Sequence, residues 1–209
     1  MAITGTNAQE FTTSGGWPAL NFCNTADGDI RTEWHENLNS FTDLIRWGEQ
    51  HAVIDDAAAA RLRAAAAADP GAAAAALDRA RALRLTIYDL FSAAAAETVP
   101  EPDALATFDR ALKAAAAHLT LQPADGHYHL ALALPGDDLD EIIWAVVWSA
   151  AELLASDRLA LVHECAGEGC SWLFLDTTRN HSRRWCEMKG CGNRAKARAF
   201  YRRKASKEG

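Results

Sequence analysis

No apolar run in this chain reaches the roughly 18 residues that a membrane-crossing helix needs; the best, Ile142 to Leu154, is broken by Ser149 and Glu152. The N-terminus has no basic stretch leading into an apolar one, so no secretory signal is read there and a cytoplasmic location is expected. Large apolar residues are also scarce. Hydrophobic residues make up 49% of the 209, but 45 of them are alanine, leaving enough bulk for one modest core. Charged residues at 23% and a net charge of −7 exclude a wholly disordered or collagen-like chain. Catalytic patterns are missing as well. His35-Glu36 has no second histidine four residues after the first, and neither G-x-S-x-G nor a P-loop occurs. His127 and His129 share one face of a strand without a third ligand nearby, so no catalytic residue is assigned and an enzyme is not expected.

Basic residues are few until late in the chain. Residues 1–159 hold 23 Asp and Glu against 10 Lys and Arg, while residues 160–209 hold 5 against 11. An asymmetry of this size predicts two parts with different partners. The boundary is read at Asp157: an acidic part over 1–157 and a basic part over 158–209.

The acidic part reads as mainly α. Residues 1–38 carry turn formers around a short apolar patch, Trp17 to Phe22, and read as irregular. Ser40 with Asp43 three residues on is a capping pair that opens the first clear helix. Further helices are expected from Asp55 to Ala68, from Pro70 through Phe91, and from Pro102 through Leu112. The alanine runs between them are helix filler, since alanine is the best helix former and Leu and Arg interrupt them at helical spacing. One β-hairpin is expected, with Leu119 and Leu121 on the first arm, a turn at Pro123-Ala124-Asp125-Gly126, and Tyr128, Leu130, Leu132 and Leu134 returning. After Pro135-Gly136, a core helix from Asp137 to Ser156 presents Ile143, Val147, Ala151 and Leu154 as its stripe. Cys23, in an apolar run, reads as a buried thiol.

The remaining four cysteines are spaced C-x4-C-x15-C-x4-C: Cys165, Cys170, Cys186 and Cys191. An odd total of five without a secretory signal argues against a disulfide framework. Two tight pairs supply the four thiolates of a tetrahedral, closed, structural zinc site. Gly169 and Gly190 precede the second cysteine of each pair and would let the chain turn around the metal. His163 and His181 lie nearby, but four thiolates already complete the sphere. A block of about 50 residues with few large apolar groups needs such a staple to fold. Ser171 to Asp176 reads as a strand, Thr177 to Ser182 as a turn, and Asn193 as the N-cap of a helix from Arg194 to Lys204, with Ala197, Phe200 and Tyr201 facing inward.

The run CAGEGCSWLFLDTTRNHSRRWCEMKGCGNRAKAR closely resembles the CGNR zinc finger, named for the tetrapeptide Cys191-Gly192-Asn193-Arg194. The preceding chain resembles the ABATE domain in Trp17-Pro-Ala-Leu-Asn-Phe-Cys-Asn-Thr25, Phe41-Thr-Asp-Leu-Ile-Arg-Trp47 and Ser149-Ala-Ala-Glu-Leu-Leu154. The resemblance implies a bacterial, stress-linked transcription regulator, with the finger as DNA-binding module and the four cysteines as zinc ligands. Thr178 stands where the motif leads one to expect serine.

Arg179, Arg183, Arg184, Arg194, Lys196, Arg198, Arg202 and Arg203 are the candidate DNA contacts, because arginine's planar fork grips phosphate in two places. Two other readings stand beside this one. In one, the basic groups offset the charge of the zinc-thiolate centre; in the other, the basic face docks a protein partner or the chain's own acidic part. In the acidic part, Trp17 with Asn21, Asn24 and His35 is the candidate pocket for a small-molecule effector, which would make the protein a one-component sensor. A homodimer stays open, and no membrane partner is expected.

Overall fold

Capping chemistry starts the helices where the sequence places them. In the computed structural model, which describes residues 10–133 and 138–208 with side chains to Lys204, Ser40 and Asp43 form a reciprocal capping box ahead of α2 (Phe41–Gln50). Asp55 caps α3 (Asp56–Ala68) by accepting from Ala58 N–H at 2.7 Å. Asp69 does the same for α4 (Pro70–Ala95), whose first residue is a proline that has no N–H to leave unpaired. A proline also opens α5 (Pro102–Ala116). The expected core helix is α6 (Glu141–Leu154). Leu134, the Pro135-Gly136 turn and the helix start at Asp137 lie outside the described residues.

Two elements arise in the stretch expected to be irregular. Pro18–Cys23 is a short helix, α1, with Ala19, Leu20, Asn21, Phe22 and Cys23 buried. It is followed by a hairpin of β1 (Ala26–Asp29) and β2 (Glu33–Glu36), paired from Ala26 with Glu36 to Asp29 with Glu33. The N-terminal part therefore holds a second hairpin besides the expected one. The short apolar patch is too brief to show a helical period, and its burial comes from contacts far along the chain. The expected hairpin, β3 (Leu119–Ala124) with β4 (His127–Leu132), turns on two residues rather than four. Asp125 and Gly126 both have positive φ, 27° and 84°, which suits a two-residue turn between strands with right-handed twist.

The core is built from α1 to α6. Trp47, Phe22 and Phe91 are completely enclosed, with Phe22 edge-on to Trp47 at 5.0 Å. On α6 the buried stripe is Ile142, Val146, Ala150 and Leu153, rotated from the expected one. Ile143 and Val147 are buried too, whereas Ala151 and Leu154 are only half-buried. The helix is apolar nearly all round, so pattern alone cannot choose among its faces. Arg84 is also fully enclosed. It grips Glu36 with two hydrogen bonds, at 2.8 and 2.6 Å, donates to Thr25 at 2.8 Å, and lies 5.0 Å from the Trp34 ring. Cys23 is buried as expected, and burial pushes its thiol up to about 12.

A 3-10 turn over Asp157–Leu161 leads into a third hairpin, β5 (Val162–Glu164) and β6 (Leu173–Leu175). Val162, Leu173 and Leu175 belong to the same core as the helices. The first cysteine pair lies in the connection between these two strands, and the second pair follows β6. A π-helical turn, Met188–Gly192, then runs straight into α7 (Asn193–Glu208).

Candidate metal centre and nucleic-acid interface

The third hairpin holds the cysteine loops against the helical part through a line of polar contacts. Asn24 sits just past α1 and bonds both backbone groups of Leu173. Ser171 N–H donates to the Gly28 carbonyl at 2.9 Å, and Trp172 donates its indole N–H to the Ala26 carbonyl at 3.1 Å. Glu164, next to the first cysteine, accepts from Tyr88 and Ser92 of α4 at 3.0 Å each and pairs with Arg31 at 2.5 Å.

The four buried cysteines converge at the tips of these loops. Their sulfur atoms all lie within 4.8 Å of one another. Cys170 and Cys186 are 3.8 Å apart, and Cys186 and Cys191 3.7 Å. The edge of a zinc-sulfur tetrahedron with bonds of about 2.3 Å is about 3.8 Å, so the spacing fits the ion. It is far too long for a disulfide. The electrostatics agree. Hydrogen bonds from Cys170 and Cys186 hold the Cys165 thiol well below its usual range, and the same contact pushes Cys186 well above it. Four thiols this close cannot all ionise without a cation among them. They hold one structural zinc, with no ligand position open for chemistry. His181 instead faces the Asp176 carbonyl, and His163 lies against Phe174, so neither joins the cluster.

Backbone amides support the sulfurs. Cys165 Sγ accepts from Gly167 N–H at 3.4 Å and from Cys186 N–H at 3.3 Å. Gly169 has φ of +69°, the left-handed conformation that glycine adopts without penalty. Gly190 lies in open space and is not required in that way. The position that cannot carry a side chain is Gly167, where a Cβ would come within 2.8 Å of Cys191 Sγ and 2.9 Å of its Cβ.

The loop between the cysteine pairs hangs on Asp176, which is fully buried. One carboxylate oxygen accepts from Thr178 N–H at 2.9 Å and its hydroxyl at 2.6 Å, and the other from Arg183 N–H at 2.8 Å. Burial alone would raise this carboxyl, but these hydrogen bonds and the nearby His163 hold it below the usual range. The hydroxyl of Thr178 meets the need that serine would.

The predicted DNA contacts separate into groups. Arg183 points inward, donating to the carbonyls of Trp185 at 3.1 Å, Ser14 at 2.9 Å, Leu175 and Cys186, with its guanidinium 4.2 Å from the Phe174 ring. It clamps the cysteine module together and ties it to the N-terminal segment at Ser14. Arg194 donates to Cys191 Sγ at 3.0 Å, and the charge on that sulfur raises the arginine's pKa, so it offsets the metal centre. Arg184, Lys196, Arg198 and Arg202 line one cleft of about 370 Å³ beside Trp185, with Arg198 also 3.2 Å from Glu168. Arg179 lines a second cleft, of about 460 Å³, that also borders Arg184 and Trp185. Arg203 is exposed on α7.

Two family models match the chain. Residues 162–204 match the CGNR zinc finger. Residues 16–157 match ABATE, described as "putative stress-induced transcription regulator". The chain belongs to the ABATE family. Neither description is that of an enzyme, and a search of curated proteins finds no match.

In this ABATE-family chain three of the four residues expected to form an effector pocket bond backbone groups with their side chains. Trp17 donates its indole N–H to the Ser149 carbonyl at 2.8 Å and lies under Arg158. Asn21 accepts from Gly15 N–H at 2.8 Å, and Asn24 is taken by Leu173. His35 sits exposed on β2. The first three are buried or half-buried polar groups spent on the backbone, which is what such groups require.

Two expectations about α7 change. Asn193 is the first residue of the helix rather than its cap, because the π-helical turn already winds the chain ahead of it. Phe200 and Tyr201 are exposed, at 58% and 68%, and Ala197 is exposed too, instead of facing inward. The residues that pattern reading passed over are Gly167 and Asp176, while Asn24, expected as a pocket contact, is the joint to Leu173. The first two lie inside the cysteine run, where an unpaired aspartate among apolar residues was the available sign.

Proposed function

We propose that this protein is a transcription regulator that contacts DNA through the basic surface of its zinc module. The observation that carries this reading is the cleft in which Arg184, Lys196, Arg198 and Arg202 gather beside Trp185, with Glu168 as its one acidic wall. Arg184 stands on the loop between the cysteine pairs and the other three on α7, so secondary structure and the metal staple hold the cations in place, and phosphate contacts there lose little conformational freedom. The junction with the acidic part is made instead by strand backbone, Asn24, Arg31 and Arg183. That placement favours an external anion over self-docking. The alternative reading is a zinc-stabilised protein-interaction module.

The test is a salt titration of duplex DNA binding by the zinc-loaded full chain. Affinity should fall linearly with salt on logarithmic axes, with a slope that counts the phosphates neutralised. Reversing charge in Arg184→Glu with Arg202→Glu should cost at least about tenfold in affinity and flatten the slope. Unchanged binding by that variant would overturn the reading in favour of the interaction module.

For effector sensing, an apolar groove of about 570 Å³ lies between α4, α5 and α6, walled by Leu90, Leu105, Phe108 and Leu154. Its size suits an apolar small molecule. A thermal-shift screen in which apolar compounds raise the melting point, and Leu105→Arg removes the rise, would support sensing. A screen in which none does would overturn it.

A further inference from the structure

From the exposed aromatic pair on its basic terminal helix, we infer that α7 engages unstacked nucleobases, so that the protein prefers single-stranded to duplex DNA. This inference rests on the DNA-binding reading above.

Phe200 and Tyr201 are exposed at 58% and 68%, and their rings meet edge to face at 5.6 Å and 77°. Two adjacent large rings left in water on a helix are not explained by the fold, since the helix packs chiefly on the π-helical turn before it. Their neighbours are cationic. Helical spacing puts Lys196 one turn before Phe200 and Lys204 one turn after it, and puts Arg198 one turn before Tyr201. Arg198 and Arg202 reach from this helix into the cleft beside Trp185, and Arg184 lies 5.5 Å from that ring.

Alternating cations and π faces are what a single strand requires, with the charges tracking phosphates and the rings receiving bases. A closed duplex offers the phosphates alone, because its base faces are already stacked. Charge complementarity thus selects nucleic acid as the occupant, and the aromatic pair selects its unpaired form. An apolar protein groove would fit the two rings but would make no use of the cationic residues one helical turn from them.

The experiment compares zinc-loaded full-length protein on a mixed-sequence single-stranded oligonucleotide and on the corresponding duplex, at one salt concentration. The single strand should bind more tightly. Phe200→Ala with Tyr201→Ala should lower its affinity by roughly five- to 150-fold for each base stack lost, while leaving duplex affinity nearly unchanged. Phe200→Leu with Tyr201→Leu keeps the helix and the apolar bulk, and should behave like the alanine pair. Zinc content and circular dichroism establish that both variants are folded. Equal or tighter duplex binding, insensitive to either variant, would overturn this inference and leave the DNA-binding reading intact. A leucine pair that binds like the wild type would overturn stacking. Binding to anionic vesicles with no binding to either nucleic acid would overturn both readings.

Discussion

Asn24 and Leu173 lie 149 positions apart and exchange two hydrogen bonds, each of 2.9 Å, between the side-chain amide of one and the backbone of the other. Both residues are buried. A single side chain thus completes the edge of β6 and joins the zinc hairpin to the helical part. Replacing it leaves an N–H and a carbonyl unpaired in the interior. Asn24→Ala is expected to cost about 2–4 kcal/mol, seen as a lower urea midpoint. A change below about 0.5 kcal/mol would mean that water reaches Leu173 and the bonds do not join the two parts.

Glycine content in the cysteine loops separates into one position that matters and one that does not. Gly167→Ala places a methyl group against Cys191 Sγ. The ligand must move, and zinc affinity should fall by about tenfold or more in competition with a chelator. Gly190→Ala, in open space, should leave affinity where it was. The reverse order would show that the sulfur positions described here are not those of the loaded site.

Asp176 links stability to pH. Its carboxyl titrates lower in the folded protein than in the unfolded chain, so the folded form gains from ionisation. That stability is fully present above the unfolded value of about 3.9 and is lost as pH falls through the lower folded value. Asp176→Asn keeps an acceptor for Thr178 but turns a donor toward Arg183 N–H. It should destabilise by about 1–3 kcal/mol at neutral pH. The gap in urea midpoint between wild type and variant should narrow below about pH 4. A gap that stays constant into acid would show that the carboxylate charge contributes nothing.

Neighbouring arginines should behave in opposite ways. Arg183→Ala removes the clamp on the Ser14, Trp185 and Leu175 carbonyls and should lower stability by about 2–4 kcal/mol. Arg184→Ala should leave stability within about 0.5 kcal/mol and weaken DNA binding instead. Calorimetric melting alongside a binding titration distinguishes them. Equal effects of the two on melting would show that Arg184 also holds the loop.

Much here was determined by local chemistry. The capping residues Ser40, Asp55 and Asp69 and the prolines Pro70 and Pro102 start helices through their own backbone and side-chain preferences, so their effect is readable without the rest of the chain. The cysteine spacing is equally local, because each pair meets the metal within one short loop. Where burial depends on residues far away in sequence, tertiary structure decided the outcome. It drew Pro18 to Cys23 into a helix under α6 and gave Asn21 and Asn24 backbone partners. It also turned Arg183 inward and Phe200 and Tyr201 outward. Arginine donates equally well to a phosphate or to a buried carbonyl, and aromatic rings suit a core or a stacked base. Composition cannot distinguish these uses, and only the position of the neighbouring chain does.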